Sequence, residues 1–125
     1  MKQWITAFAV AWALVVGGFS TAQAADWYYI NADADDSTWF IDNETVEKTD
    51  RTAHISVKVN NVEGYTYVYD VDIDRANNLW TENSVKVSTT AGIPLFVNPE
   101  RQEPVEIKKG SIGELIKQAI WGKDA

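Results

Sequence analysis

Two stretches of alternating side chains constrain the fold of this chain most. From residue 52 to residue 60, apolar side chains occupy odd positions and polar ones even positions; residues 65–73 keep apolar or aromatic side chains at odd positions. The turn 61–64, which contains asparagine and glycine, separates the two stretches. Because successive side chains of a strand point to opposite faces, this pattern predicts a β-hairpin with a buried odd-numbered face. That buried face also fixes the parity of the register, since an odd slip would expose every apolar residue.

Shorter runs predict further strands on both sides of this hairpin. They are rich in aromatic and β-branched residues, or they contain proline as edge strands do. These runs lie at residues 26–30, 38–42, 79–90, 93–97 and 103–107. Trp80 is out of phase with Val85 and Val87, which predicts a bulge or a break in that strand near residues 82–83. The polar segment 43–51 is predicted to form a bend or a single helical turn.

The spacing of apolar residues changes near the end of the chain and predicts one amphipathic helix over residues 111–121. Ser111 followed by Glu114 is the signature of a capping box, and Gly122 is a typical helix stop. The apolar positions at helical spacing are Ile112, Leu115, Ile116, Ala119 and Ile120. The predicted fold class is therefore α+β, with a twisted antiparallel sheet of about four to six strands and the C-terminal helix packed on one face.

The first 24 residues have the pattern of a cleaved signal peptide. Lys2 precedes an apolar run over residues 5–19, and the small-x-small sequence Ala22-Gln23-Ala24 predicts cleavage after Ala24. The apolar run is shorter than the roughly 20 residues of a membrane-spanning helix, so an uncleaved anchor is the less favoured alternative. We expect one exported α+β domain over residues 25–125, periplasmic or secreted to the cell surface, with no stable membrane insertion after the signal is removed.

Charge and cysteine content narrow the classes of function. The net charge of −7 becomes −8 once Lys2 is removed, which disfavours nucleic acid and anionic lipid as partners and favours a basic protein or a cation. The chain has no cysteine, so a lipid anchor, disulfides, thiol catalysis and cysteine zinc sites are excluded. The expected partner is a protein of unknown identity, either a host matrix or serum protein or a protein of the bacterial envelope.

A row of carboxylates on the outer face of the hairpin is the first candidate binding site. Asp70, Asp72 and Asp74 alternate along one strand at about 6.5–7 Å, too far apart for one small cation to contact all three. His54 and Lys58 lie on the same face of the neighbouring strand. A three-residue loop would place His54 opposite Asp70, and a register shift of two would place it opposite Asp72. Cross-strand charge pairing is the favoured interpretation, and a site for a cation or a basic partner is the alternative.

Three tyrosines on the opposite face form the second candidate. Tyr67 and Tyr69 share their face with apolar residues and are predicted to lie in the core. Tyr65, near the hairpin end, is predicted to lie at the border of the core, because a single helix cannot cover the whole sheet. A recognition surface is the alternative, since tyrosine supplies rigid amphipathic contact area. The candidate binding residues are thus Tyr65, His54, Asp70, Asp72 and Asp74.

No metal or cofactor site is predicted. The acids of residues 33–44 have the length of an EF-hand loop, but Thr38 stands where that loop requires glycine and Ile41 occupies a ligand position. The segment Asp33–Asp36 is interpreted as a solvated turn, and weak calcium binding there is left open.

The sequence also predicts a protein that is not an enzyme. His54 is the only histidine, and no serine occurs in a Gly-x-Ser-x-Gly setting. A pair formed by His54 and a neighbouring aspartate, acting as acid and base, is the weakest alternative.

The order of these segments resembles the surface-adhesin E-like family of small exported bacterial proteins. The resemblance lies in "DWYYI", a polar turn, "TWFIDNETVEK", the alternating "AHISVKV" and the final "VEIKKGSIGELIKQAIW". It implies a twisted antiparallel sheet with a C-terminal helix, and a binding or adhesin-like function directed at host matrix or serum proteins. An acidic periplasmic inhibitor of a basic enzyme, such as a lysozyme, is the alternative function.

Overall fold

The alternating hairpin forms the centre of one antiparallel sheet in the structure, a computed structural model that describes residues 26–123. The elements are β1 (Trp27–Ala32), β2 (Thr38–Asp42), β3 (Glu47–Lys48), β4 (Thr52–Asn60), β5 (Tyr65–Asp74), β6 (Leu79–Thr89), β7 (Pro94–Asn98), β8 (Val105–Glu106) and α1 (Ile112–Trp121). The antiparallel sheet and the C-terminal helix are as predicted. The predicted signal peptide and its cleavage site lie outside the described residues.

The sheet has eight strands, more than the four to six predicted. Its main order is β1-β2-β4-β5-β6-β7, with β3 beside β4 and β8 beside β6. The prediction of a bend or helical turn in segment 43–51 was wrong for β3, which pairs Glu47 with His54 and Lys48 with Ala53. A two-residue strand is too short to show an alternating pattern, so only its pairing in the folded sheet identifies it.

The buried face of the hairpin is the odd-numbered one, as predicted. We call this the inner face and the opposite one the outer face. The core contains residues from β2, β4, β5 and β6, the segment after β8, and α1: Ile41, Ala53, Ile55, Val57, Val59, Val71, Ile73, Trp80, Ile107, Ile116 and Ile120. Burial of this apolar surface is the main favourable contribution to folding, at about 25 cal/mol per Å².

The predicted irregularity of β6 is a β-bulge. Asp70 pairs with Ser84 and Val71 pairs with Glu82, so Asn83 is an extra residue with no partner of its own in β5. The bulge explains the phase of Trp80, which lies opposite Ile73 and is buried on the inner face despite its even number. One inserted residue therefore lets both halves of β6 present their apolar side chains to the same face.

Helix α1 begins and ends where the sequence predicts. Ser111 Oγ accepts a hydrogen bond from the Glu114 backbone N–H at 3.2 Å, and Gly122 ends the helix with a positive φ of 104°. The predicted apolar stripe is correct for Ile116 and Ile120, which are buried, and wrong for Ala119, which is exposed. The charged residue Lys117 is buried in its place.

Helix α1 packs against β1, and the hydrogen bonds that join it to the rest of the chain lie at one end of the sheet. Lys117 is buried and donates from Nζ to Asn78 Oδ1 at 2.8 Å, in the turn between β5 and β6. Lys48 Nζ donates to the Ile120 carbonyl at 2.7 Å, and Trp121 Nε1 donates to the Thr49 carbonyl at 2.8 Å. A ten-residue helix is about 15 Å long, whereas an eleven-residue strand extends over about 36 Å. The helix therefore leaves the far half of the inner face uncovered.

Candidate functional site

His54 lies between two aspartates at the centre of the outer face. Its Nδ1 lies 2.6 Å from Asp72 Oδ1, and its Nε2 lies 2.7 Å from Asp70 Oδ1. The turn between β4 and β5 has four residues, with Gly64 at a φ of 93°, so Asp72 rather than Asp70 is directly opposite His54. This is the shifted register that the sequence left open. The imidazole nevertheless reaches both carboxylates, which confirms the predicted cross-strand pairing of His54.

Two further side chains complete this arrangement, which we call the His54 cluster: His54, Asp70, Asp72, Asn83 and Arg101. Asn83 Nδ2 donates to Asp72 Oδ2 at 3.1 Å and to Asp70 Oδ2 at 3.3 Å. Arg101 Nη1 donates to Asp72 Oδ2 at 3.1 Å and also contacts Asn83 Oδ1. Sequence reasoning located the bulge near Asn83 but missed the role of its side chain. It missed Arg101 entirely, because no local pattern links two residues 29 positions apart.

The geometry favours the protonated, cationic form of His54. Both ring nitrogens face carboxylate oxygens at hydrogen-bond distance, and both can donate only when the imidazole carries two N–H groups. The hydrogen bond to Asp72 raises the pKa of His54 above its ordinary value of 6.5, although partial burial opposes this. Burial raises the pKa of Asp72, but hydrogen bonds from His54, Arg101 and Asn83 outweigh it and bring that pKa below 3.8. When His54 is protonated, the two positive side chains balance the two carboxylates.

An open groove of about 630 Å³ lies beside the cluster. Its lining carries charges of both signs, from Glu47, Lys48, His54, Asp72, Asp74 and Arg101. Within residues 26–123, no group of three or more histidine, aspartate or glutamate side chains is arranged to hold a metal ion. Three of these lining charges, His54, Asp72 and Arg101, pair with one another.

The structure separates two predicted site residues from this cluster. Asp74 accepts hydrogen bonds from the Asn77 backbone N–H at 3.0 Å and from Asn77 Nδ2 at 2.8 Å, so its carboxylate closes the β5–β6 turn. Tyr65 lies on the inner face, on the other side of the sheet, with 39% of its surface exposed. Of the five candidate binding residues, only His54, Asp70 and Asp72 meet.

Lys58 does not take part in the charge pairing predicted for the outer face. Its ammonium group lies 4.8 Å from the centre of the Trp27 ring and 4.9 Å from that of Phe40. Partial burial against these rings lowers the pKa of Lys58. The lysine thus makes cation–π contacts with β1 and β2 instead of pairing with an aspartate of β5.

The acidic turn before β2 has a structural explanation. One oxygen of the Asp33 carboxylate accepts the backbone N–H groups of Asp35 at 2.9 Å and Ser37 at 3.1 Å. The other accepts Trp39 Nε1 at 2.9 Å, and this bond is the main reason that the pKa of Asp33 is lowered. Asp33 therefore stabilises the turn and orients the indole of Trp39.

A second candidate surface occupies the uncovered half of the inner face. We call it the aromatic surface; it consists of Trp39, Tyr65, Tyr67, Tyr69 and Phe96. Tyr67 and Tyr69 stack with ring centres 6.3 Å apart and pack against the core, yet both remain partly exposed. Phe96 is 59% exposed. All three tyrosines of this surface are thus at least partly exposed.

Comparison of the chain with protein-family models, with curated proteins and with solved structures finds no match. The function is therefore argued from the two surfaces themselves, and the resemblance to the surface-adhesin E-like family stays a prediction.

Within the described residues, no helix is long and apolar enough to cross a membrane.

Proposed function

We propose that this chain is an exported, non-catalytic protein-binding module of the surface-adhesin E-like type. The observation that carries the proposal is the aromatic surface, where Tyr65 and Phe96 are 39% and 59% exposed on a half of the sheet that α1 does not cover. Aromatic side chains are enriched at protein interfaces and depleted from ordinary exposed surface. The partner is a host matrix or serum protein, or a protein of the bacterial envelope.

The His54 cluster supports a role without catalysis. A general base needs a free lone pair close to the proton that it removes. Both ring nitrogens of His54 are instead engaged by Asp70 and Asp72, and these contacts favour the protonated form of the imidazole. We interpret the cluster as a cross-strand clamp between β4, β5, β6 and the segment that contains Arg101.

Net charge favours a second candidate function. With a net charge of −7 over the whole chain, the protein would be attracted to a basic enzyme and could act as its acidic inhibitor. Association driven by such charge slows steeply as salt increases, whereas burial of aromatic side chains depends little on salt.

Surface plasmon resonance with the exported protein, produced from the full-length chain, tests both functions. The analytes are fibronectin, laminin and serum proteins on one side and lysozyme on the other, in about 50 and about 500 mM NaCl. We expect a matrix or serum protein to bind with an association rate that changes little with salt, and Tyr65→Ser to weaken the complex. Tyr29→Ser is the control, since Tyr29 is 51% exposed and packs against Phe40 on the outer face.

Two results would contradict the adhesin-like function. One is binding of lysozyme alone, with a steep loss of association rate at high salt, which would favour the inhibitor. The other is binding of a matrix protein that Tyr65→Ser and Tyr29→Ser weaken equally, because the aromatic surface would then have no special role.

A further inference from the structure

A row of apolar side chains crosses the uncovered half of the inner face. Its members are paired residues of five neighbouring strands: Trp39, Val59, Tyr67, Val87 and Phe96. With about 4.8 Å between strands, the row is about 19 Å long. Val59 and Val87 are buried, whereas Phe96 at the end of the row is largely exposed. The row is therefore a continuous apolar surface that includes three aromatic side chains.

The length of this row matches that of a second helix lying across the strands. Domains of this class bury a sheet face under helices, and α1 already covers the half of the inner face near Asn78 and Thr49. An α-helix of about 13 residues is about 19 Å long, which equals the length of the row. Within residues 26–123, no element of the chain occupies that place.

The turns that border the aromatic surface are acidic. Asp35 and Asp36 in the β1–β2 turn and Glu63 in the β4–β5 turn are all exposed. These turns, and the β6–β7 turn over residues 90–92, contain no lysine or arginine. The nearest lysines of the strands, Lys58 and Lys86, belong to the outer face, where they pair with Phe40 and Val68.

A negative charge also lies on the inner face itself. Glu82 directly precedes the bulged residue Asn83 and stands opposite Val71 on this face. Its Oε2 accepts a hydrogen bond from Nε1 of Trp80, an inner-face residue, at 3.3 Å, so the carboxylate lies on the same side of the sheet as the aromatic surface. An occupant of this surface would therefore meet apolar rings on its underside and carboxylates around it.

We infer that the aromatic surface binds a basic amphipathic helix of a partner protein. Its apolar stripe would lie along the row, and its lysine or arginine side chains would point towards Asp35, Asp36 and Glu63. This inference rests on the proposed function and specifies the chemistry of the partner.

Two other occupants fit less well. A second copy of the chain would bring its own acidic turns towards Asp35 and Glu63, and like charges oppose such a contact. Addition of a partner strand at the β7 edge is hindered because Pro94 has no N–H and the register shifts beside it, at Leu95.

The test uses synthetic peptides and the full exported protein. The probe is a fluorescein-labelled peptide of about 14 residues, with leucine and lysine at helical spacing, and its binding is followed by fluorescence anisotropy. One control peptide alternates leucine and lysine at strand spacing, and another replaces every lysine with glutamate. We expect the helical leucine–lysine peptide to bind more tightly than either control.

Matched variants show whether the binding is at the aromatic surface. We expect the double variant Tyr65→Ser/Phe96→Ser to weaken binding of the helical peptide at least about tenfold, whereas Tyr29→Ser leaves it unchanged. Glu63→Lys should weaken binding, while the same charge reversal at Asp50, at the opposite end of the sheet, should have a smaller effect.

Three results would overturn the inference: tighter binding of the strand-spaced peptide, equal losses in the Tyr29 and double variants, or a dimer in sedimentation that the double variant dissociates. If no peptide binds but a matrix protein binds and is sensitive to Tyr65→Ser, the helical partner is refuted and the proposed function stands. If matrix-protein binding is also insensitive to that variant, both are refuted.

Discussion

Replacement of His54 by glutamine should make the stability of this protein nearly independent of pH between about pH 5.5 and about pH 8.5. Glutamine retains an N–H donor and an acceptor but carries no charge. The chain has only one histidine, so no other imidazole titrates in this window. The groups that face His54 are Asp70 and Asp72 on β5, Glu47 on β3 and, through Asp72, the guanidinium of Arg101.

The direction of the effect follows from the pKa of His54, which folding raises above 6.5. The stability contributed by the imidazolium is fully present below pH 6.5 and is lost as the pH rises through the folded-state value. The His54 side chain is 45% exposed, so each of its two ion pairs is screened and contributes about 0.2–1 kcal/mol. At about pH 5.5 we therefore expect the free energy of unfolding of the wild type to be about 1 kcal/mol larger than that of His54→Gln. For a domain of this size, this corresponds to a Tm that is about 4–8 °C higher.

The assay is urea unfolding of the wild type and of His54→Gln at both pH values, together with an NMR titration of the imidazole C–H proton. The carboxylate of Asp72 does not affect the comparison. Because its pKa is lowered, its contribution to the stability of the fold is lost only below about pH 5.5, outside the range compared. Lys58→Gln is the control, since Lys58 lies on the same face outside the cluster. A stability difference that stays constant over this window, or an NMR pKa of 6.5 or less, would show that the carboxylates do not stabilise the imidazolium.

Three further changes test the fold. Ser111→Ala removes the acceptor for the Glu114 N–H and should lower the free energy of unfolding by about 1 kcal/mol, measured by urea unfolding, whereas Ser111→Asp should preserve it. Ile116→Ala empties a fully buried site beneath α1 and should lower that free energy by about 2–5 kcal/mol; a smaller loss in calorimetry would mean that the helix is loosely packed. Asn78→Ala removes the acceptor of the buried Lys117 ammonium and the donor to the Ile107 carbonyl. A loss of about 1–3 kcal/mol is expected there, and restoration by Lys117→Met in the double variant would identify the unpaired ammonium as its cause.

The parts of the fold that the sequence predicts correctly are those with a local signal. Alternation over residues 52–73 repeats often enough to fix the strands, their parity and the buried face. Trp80 is at an even position and Val87 at an odd one, so both side chains can point to the inner face only if the strand has one extra residue between them. This change of parity locates the bulge. Ser111 and Gly122 mark the helix ends through backbone capping, which involves only neighbouring residues.

The parts that the sequence does not predict depend on contacts between distant segments. Arg101 reaches Asp72 only because the segment between β7 and β8 follows the edge of β6, and nothing around Arg101 indicates that path. Lys58 was expected near an aspartate, but the aromatic rings of β1 and β2 come closer once those strands are in place. In both cases the side chain is long enough to contact any of several partners, and the tertiary structure determines which of them it contacts.

The bulge in β6 has a consequence for changes in chain length. If Asn83 were deleted, Glu82 and Ser84 would become neighbours, and the ladder with Val71 and Asp70 would run on without interruption. Every apolar side chain of the strand would keep its face, because Trp80 and Val85 would keep their partners Ile73 and Tyr69. Asn83 is thus a position where the apolar packing tolerates shortening of the strand, and it is also the residue that touches both carboxylates beside His54. A single-residue deletion at Asn83 would therefore remove a member of the His54 cluster and leave the buried apolar face of β6 in register.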